Sequence, residues 1–145
     1  MQQDYVRAGC VSQTSPDVVA SGSYDHTVKF WDKRRDSGES VFTFNHGAPV
    51  EDVILMPNDA LLVSAGGHEI KIWDLLSGSR RPLKTLSPHN KTVTSLGFSN
   101  GYTRLVSGSL DAQVKFHDIS NFQTVHSVKF PSPVLSAAVA VSYFF

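Results

Sequence analysis

Apolar and polar residues alternate in short runs along the whole chain. Val28 and Phe30, Ile70 and Ile72, and Val114 and Phe116 are pairs separated by a single lysine (Lys29, Lys71, Lys115). This is the two-residue period of a strand with one face buried. Turn-forming clusters punctuate the runs at Ser15-Pro16-Asp17, Pro57-Asn58-Asp59 and Asn100-Gly101. The pattern predicts strands over about 5–11, 18–23, 26–33 and 40–45, then 50–57, 61–66, 69–75 and 83–87. A third set follows at 93–99, 104–109, 113–119 and 124–130, with a thirteenth strand at about 134–141. No stretch sustains the 3.6-residue period of an amphipathic helix, so the fold class read from the pattern is all-β.

The runs also repeat. Val18–Asp32, Leu61–Asp74 and Arg104–Asp118 align, with Ser21, Ser64 and Ser107 at one position and 43 residues between successive serines. Upstream, Asn45–Val53 aligns with Pro88–Leu96, and His46 and His89 are again 43 apart. Two separate blocks in one register establish a period of four strands, which divides residues 1–145 into units of about 5–45, 50–87 and 93–130.

A four-stranded unit of this length, with a histidine ahead of its first strand and Trp-Asp closing its third, resembles the WD-repeat β-propeller family. The resemblance implies that each unit is a blade, and that a histidine, a serine, an aspartate and a tryptophan form a buried hydrogen-bonded chain within it. Ser21, Asp25 and Trp31 would serve the first blade, whose histidine position falls near Met1-Gln2. His46, Ser64 and Trp73 would serve the second, where a one-residue deletion removes the aspartate; the network is expected to be lost there. His89, Ser107 and Asp111 would serve the third, where His117 stands in place of tryptophan. Three blades do not close a ring that usually has about seven. The sequence therefore reads as a partial propeller whose end blades expose apolar faces, and a stable monomer is not expected.

Composition narrows the function classes. Of 145 residues, 41% are hydrophobic and 18% charged, the balance of a folded rather than a disordered chain. Thirteen basic residues match thirteen acidic ones, which argues against a module that binds nucleic acid by bulk charge. No apolar run approaches the ~20 residues of a membrane-spanning helix. Cys10 is the one cysteine, so neither an internal disulfide nor a cysteine-rich zinc site is available. The histidines, serines and aspartates sit where the repeat itself uses them, and His26, His68 and His126 follow no metal-ligand spacing. No catalytic set, metal, cofactor or small-molecule substrate is expected.

The arginines fall outside that logic. Arg34 and Arg35 follow the third strand of the first blade, and Arg80 and Arg81 the third strand of the second. If equivalent turns share a face, the four form one basic patch suited to phosphate or carboxylate. Trp31-Asp32-Lys33-Arg34 also resembles the box by which some WD-repeat proteins dock, as substrate receptors, on the adaptor of cullin ubiquitin ligases; Arg34 would be the docking residue. A narrower resemblance is carried by His46–Glu51, Leu62–Gly67 with its deletion, and Ser107–Asp111. These runs are similar to the WD-repeat subunits of the small-subunit processome. That resemblance implies a non-catalytic scaffold in the nucleolus, supporting pre-ribosomal RNA transcription and processing toward 18S RNA. The implied partners are other propeller and helical-repeat subunits, with contact to pre-ribosomal or small nucleolar RNA.

Overall fold

The computed structural model describes residues 4–35, 38–99 and 101–137. Among the described residues twelve strands form three separate four-stranded antiparallel sheets, and no helix occurs. The first sheet is β1 (Val6–Val11), β2 (Val18–Ser23), β3 (Thr27–Asp32) and β4 (Phe42–Asn45). The second is β5 (Val50–Leu55), β6 (Leu61–Gly66), β7 (Glu69–Asp74) and β8 (Lys84–Leu86), and the third is β9 (Val93–Ser99), β10 (Arg104–Ser109), β11 (Gln113–Asp118) and β12 (Thr124–Lys129). Within each sheet the spatial order is the chain order, a meander. The first strands lie side by side, β1 against β5 and β5 against β9, so they form the inner edge and the fourth strands the rim.

The register repeats as the sequence does. Ser21 lies opposite Lys29, Ser64 opposite Lys71 and Ser107 opposite Lys115. Two steps on, Val19 faces Trp31, Leu62 faces Trp73 and Leu105 faces His117. Each first strand is bulged at one equivalent place, where Arg7, Glu51 and Thr94 are left out of the ladder. A bulge turns its extra side chain aside, and here the turned residues reach neighbouring elements. Arg7 pairs with Glu51 of the next sheet (3.6 Å), and the Thr94 hydroxyl donates to the Val134 carbonyl (2.7 Å).

Two cores lie between the sheets rather than within them. Ala20, Val28 and Phe44 of the first sheet meet Val50, Val53, Leu62 and Trp73 of the second. Phe44 stacks on the Trp73 ring, with centroids 4.7 Å apart. Val63, Ala65, Ile70 and Ile72 on the other face of the second sheet meet Val93, Leu96 and Leu105 of the third. The second sheet, with a neighbour on each side, thus contributes apolar side chains to both cores.

Residues 134–137 are not a strand, and 138–141 of the expected thirteenth strand lie outside the described residues. The short segment nevertheless sits on the third sheet as β5 sits on the first. A Cβ on Gly22 would run into Val50 and Val53, and one on Gly108 would meet Val134 and Ala137 as well as Ser95.

Candidate functional site

The polar residues at equivalent positions converge on one serine in the second and third sheets, and part of the same arrangement is present in the first. In the first, Trp31 Nε1–H donates to Ser21 Oγ (2.9 Å), and Asp25 Oδ1 caps the following turn by accepting the Thr27 N–H (2.9 Å). The histidine position of this sheet lies outside the described residues.

In the second sheet the network is present despite the deletion, which corrects the expected loss. Trp73 Nε1–H donates to Ser64 Oγ (2.8 Å), Ser64 lies 2.8 Å from His46 Nδ1, and His46 Nε2 lies 2.9 Å from the Gly66 carbonyl. A carbonyl can only accept, so Nε2 carries the proton and Nδ1 accepts from Ser64. The missing carboxylate is replaced by main chain. The shortened β6–β7 turn, Gly66-Gly67-His68, brings this about. Gly67 has φ +56, and a Cβ on Gly66 would overlap the Pro49 carbonyl and press on the His46 ring.

In the third sheet the imidazole is reversed. His89 Nδ1 donates to Asp111 Oδ2 (2.9 Å) and Nε2 lies 2.8 Å from Ser107 Oγ. His117, in the tryptophan position, places Nε2 2.8 Å from the same Ser107 oxygen and Nδ1 3.0 Å from Thr124 Oγ1. The bonds run Asp111, His89, Ser107, His117, Thr124, so the histidine extends the chain to the rim strand, which tryptophan, having a single donor, does not do. Asp111, His89 and Ser107 stand in the order of a catalytic triad, but Ser107 is 0% exposed and held on both sides. A nucleophile needs a cleft that admits substrate, and this hydroxyl has none.

Burial governs the ionisation of these groups. It lowers His46, with Lys71 adding to the effect, and it lowers His89 in spite of Asp111 beside it. His117 is pushed down to about 4, by burial first and then by His89 and Lys115. Burial works to raise the Asp111 carboxyl, but the Asn90 N–H and His89 outweigh it and hold it below the usual range. All three imidazoles are neutral near pH 7. The Cys10 thiol is pushed up to about 11, chiefly by burial and then by Asp52, and is not a reactive thiolate.

Other residues of the architecture escape a motif reading. Lys71 Nζ donates to the His46 carbonyl and Lys115 Nζ to the Pro88 carbonyl, each at 2.6 Å. The strand lysines therefore tie down the loop that carries each histidine. Asp52 reaches from β5 to the Leu96 N–H on β9 (2.8 Å), and its carboxyl is raised by burial. Ser12 and Thr14 both donate to Asp59 Oδ2, joining the first sheet to the second. The signal for the lysines is their recurrence opposite the serines; Asp52 carries none.

The structure does not gather the four arginines. Arg34 forms a two-point pair with Asp32, Nε to Oδ1 at 2.9 Å and Nη2 to Oδ2 at 2.7 Å, beside the β1–β2 turn. Asp32 is drawn down to about 2 by those bonds, and the residue required for adaptor docking is engaged within its own turn. Arg80 instead lines a groove of about 390 Å³ with Asp25, His26, Thr27, Thr43 and Asn45. That groove is at the other end of β3, roughly 17 Å away at ~3.3 Å per residue. The reason is position within the loop. Nine residues separate β3 from β4 and nine, Leu75–Leu83, separate β7 from β8, but Arg34 is the second residue after its strand and Arg80 the sixth, far enough on to be carried along the rim. Arg35 and Arg81 are exposed.

Three meandering sheets ranged about a common inner edge, each with the equivalent serine bonded to a tryptophan or histidine of the third strand, define a repeat-built β-propeller, here a partial one. The chain belongs to the WD domain, G-beta repeat family, whose model matches residues 3–32, 38–74 and 80–118. It is 48% identical over 137 residues to the Xenopus laevis U3 small nucleolar RNA-associated protein 15 homolog. It is 49% identical over the same length to the Homo sapiens and Danio rerio proteins of that name. Each match covers 94% of this chain but 26% of the relative, so the chain spans about a quarter of the length of these relatives.

Proposed function

We propose that this chain is part of a non-catalytic scaffold subunit of ribosome biogenesis, working in the nucleolus within the small-subunit processome. On this reading it supports pre-ribosomal RNA transcription and processing toward 18S RNA, beside other propeller and helical-repeat subunits. The observation that carries the proposal is the near-50% identity, over 94% of the chain, to relatives named for association with U3 small nucleolar RNA. The geometry agrees with it: the recurrent polar residues are spent inside the blades, leaving loops and rims as the surface for partners. Contact with an acidic partner or with RNA, through Arg34, Arg35, Arg80 or Arg81, belongs to the assembly, because the chain has no net charge to bind RNA by itself.

The test uses the longest natural protein containing this sequence, tagged and purified from cells. U3 small nucleolar RNA and the 5′ spacer of pre-ribosomal RNA are quantified in the eluate against an unrelated tagged propeller. Strong enrichment of both is expected, and background levels would overturn the assignment.

A further inference from the structure

From Leu75 to Leu110 the chain carries Arg80, Arg81, Lys84, Lys91 and Arg104 and no acidic residue, although the whole is neutral. The loop Leu75–Leu83 concentrates this excess at the rim of the second sheet. Among the described residues neither Arg80 nor Arg81 has a carboxylate within ion-pair distance, whereas Arg7, Arg34 and Lys71 each have one. Asp25 faces the same groove as Arg80, but its Oδ1 is committed to Thr27. Two leucines bracket the arginines in the open, Leu76 at 80% exposure and Leu83 at 55%.

The loop is also held in shape. Asp74 Oδ1 accepts the Leu76 and Ser77 N–H groups, Ser77 Oγ accepts from Ser79 N–H, and Ser79 Oγ accepts from Arg81 N–H. Leu83 N–H donates to the Ile72 carbonyl, and Pro82 fixes one more backbone angle. A surface ordered before it binds loses less entropy when a partner arrives.

We propose that this loop docks an acidic, apolar-containing peptide segment of a partner protein. Arg80 and Arg81 take its carboxylates, and Leu76 and Leu83 take its apolar side chains. Charge complementarity sets the sign of the partner, since a guanidinium fork matches a carboxylate in two-point geometry. The leucines set its class. A nucleic acid strand uses aromatic rings for stacking, and the loop has none, while two exposed leucines gain nothing against phosphate. The inference rests on the scaffold reading above and names the kind of contact that scaffold makes.

The experiment measures fluorescence anisotropy with the full chain and two labelled probes at equal salt: a short peptide alternating glutamate and leucine, and a mixed-sequence single-stranded RNA. The peptide is expected to bind. R80A/R81A weakens it about tenfold or more, the loss of close to 1.4 kcal/mol or above. L76S/L83S weakens it several-fold, and R34A leaves it unchanged. All four replaced side chains of the two double variants are exposed, so both should melt with the parent. No peptide binding, binding indifferent to the leucines, or tighter binding of the RNA through the same arginines overturns the proposal. RNA enrichment in the purification above together with failed peptide binding removes this site alone. The converse pair of results removes the processome reading and leaves the site standing.

Discussion

At the scale of single residues, the buried imidazoles make stability depend on pH. His46, His89 and His117 are all held below the ordinary histidine value of about 6.5. Between about pH 6.5 and the folded values the unfolded chain binds protons that the folded chain refuses. Their contribution is therefore fully present above about pH 6.5 and is lost as pH falls, with His117 contributing down to about 4. Each group contributes a slope of up to about 1.4 kcal/mol per pH unit. Asp52 works in the opposite direction at the acid end, because its raised carboxyl takes up its proton earlier in the folded state. Urea midpoints measured from pH 7 to pH 5 should fall steadily. His117→Trp should make the fall shallower by removing the most displaced group. A midpoint that does not move over this range would contradict the assignment of neutral, buried rings.

At the scale of the element, much of the architecture was legible and some was not, for definite reasons. The twelve strands lie within about two residues of where alternation and turn residues put them, because a half-buried strand writes its burial directly into its sequence. The members of the second-sheet network, His46, Ser64 and Trp73, were legible, but the bond that closes it was not. Its acceptor is the Gly66 carbonyl, and every residue has a carbonyl, so no letter announces this one. The position of Arg80 was hidden in another way: repeat symmetry fixes where a loop starts and ends but not the path of nine residues between. The glycines make the turn argument testable. Gly66→Ala drives a Cβ into the Pro49 carbonyl and the His46 ring, and should cost about 3 kcal/mol in equilibrium unfolding. Gly97→Ala has nothing within 4 Å of the added carbon and should be neutral or stabilising by about 0.5 kcal/mol, since it also restricts the unfolded strand. Equal effects at the two positions would remove the steric account.

At the scale of the whole molecule, cohesion resides between blades. The apolar cores are interfaces, and polar links reinforce them at the inner edge, where Asp52 bridges to Leu96 and Arg7 to Glu51. Asp52→Ala removes the acceptor for an amide of the neighbouring sheet. Hydrogen exchange at Leu96 should then quicken by about tenfold, the equivalent of a lost bond of about 1.4 kcal/mol, while amides of β2 and β3 keep their rates. Uniform acceleration across all sheets would mean instead that the blades open as one cooperative body. The third sheet shows what an unfinished interface looks like. Ser95 stands at the place of Asp52 and its buried hydroxyl has no hydrogen-bond partner among the described residues, while Val106, Val114 and Phe116 line an open groove of about 610 Å³ under residues 130–137.

The two opposed imidazoles carry a consequence for how such a sequence can change. Each fills the equivalent slot and meets the equivalent serine, yet one finishes on a carboxylate and the other on a main-chain oxygen. The slot therefore fixes a number of bonds and leaves their partners free, much as a code with synonyms fixes a meaning and leaves the spelling open. Losing an acidic residue together with one step of a turn is absorbed by a half-rotation of a single ring. Degeneracy of this kind gives the repeat a path along which its letters drift while each blade keeps its bolt.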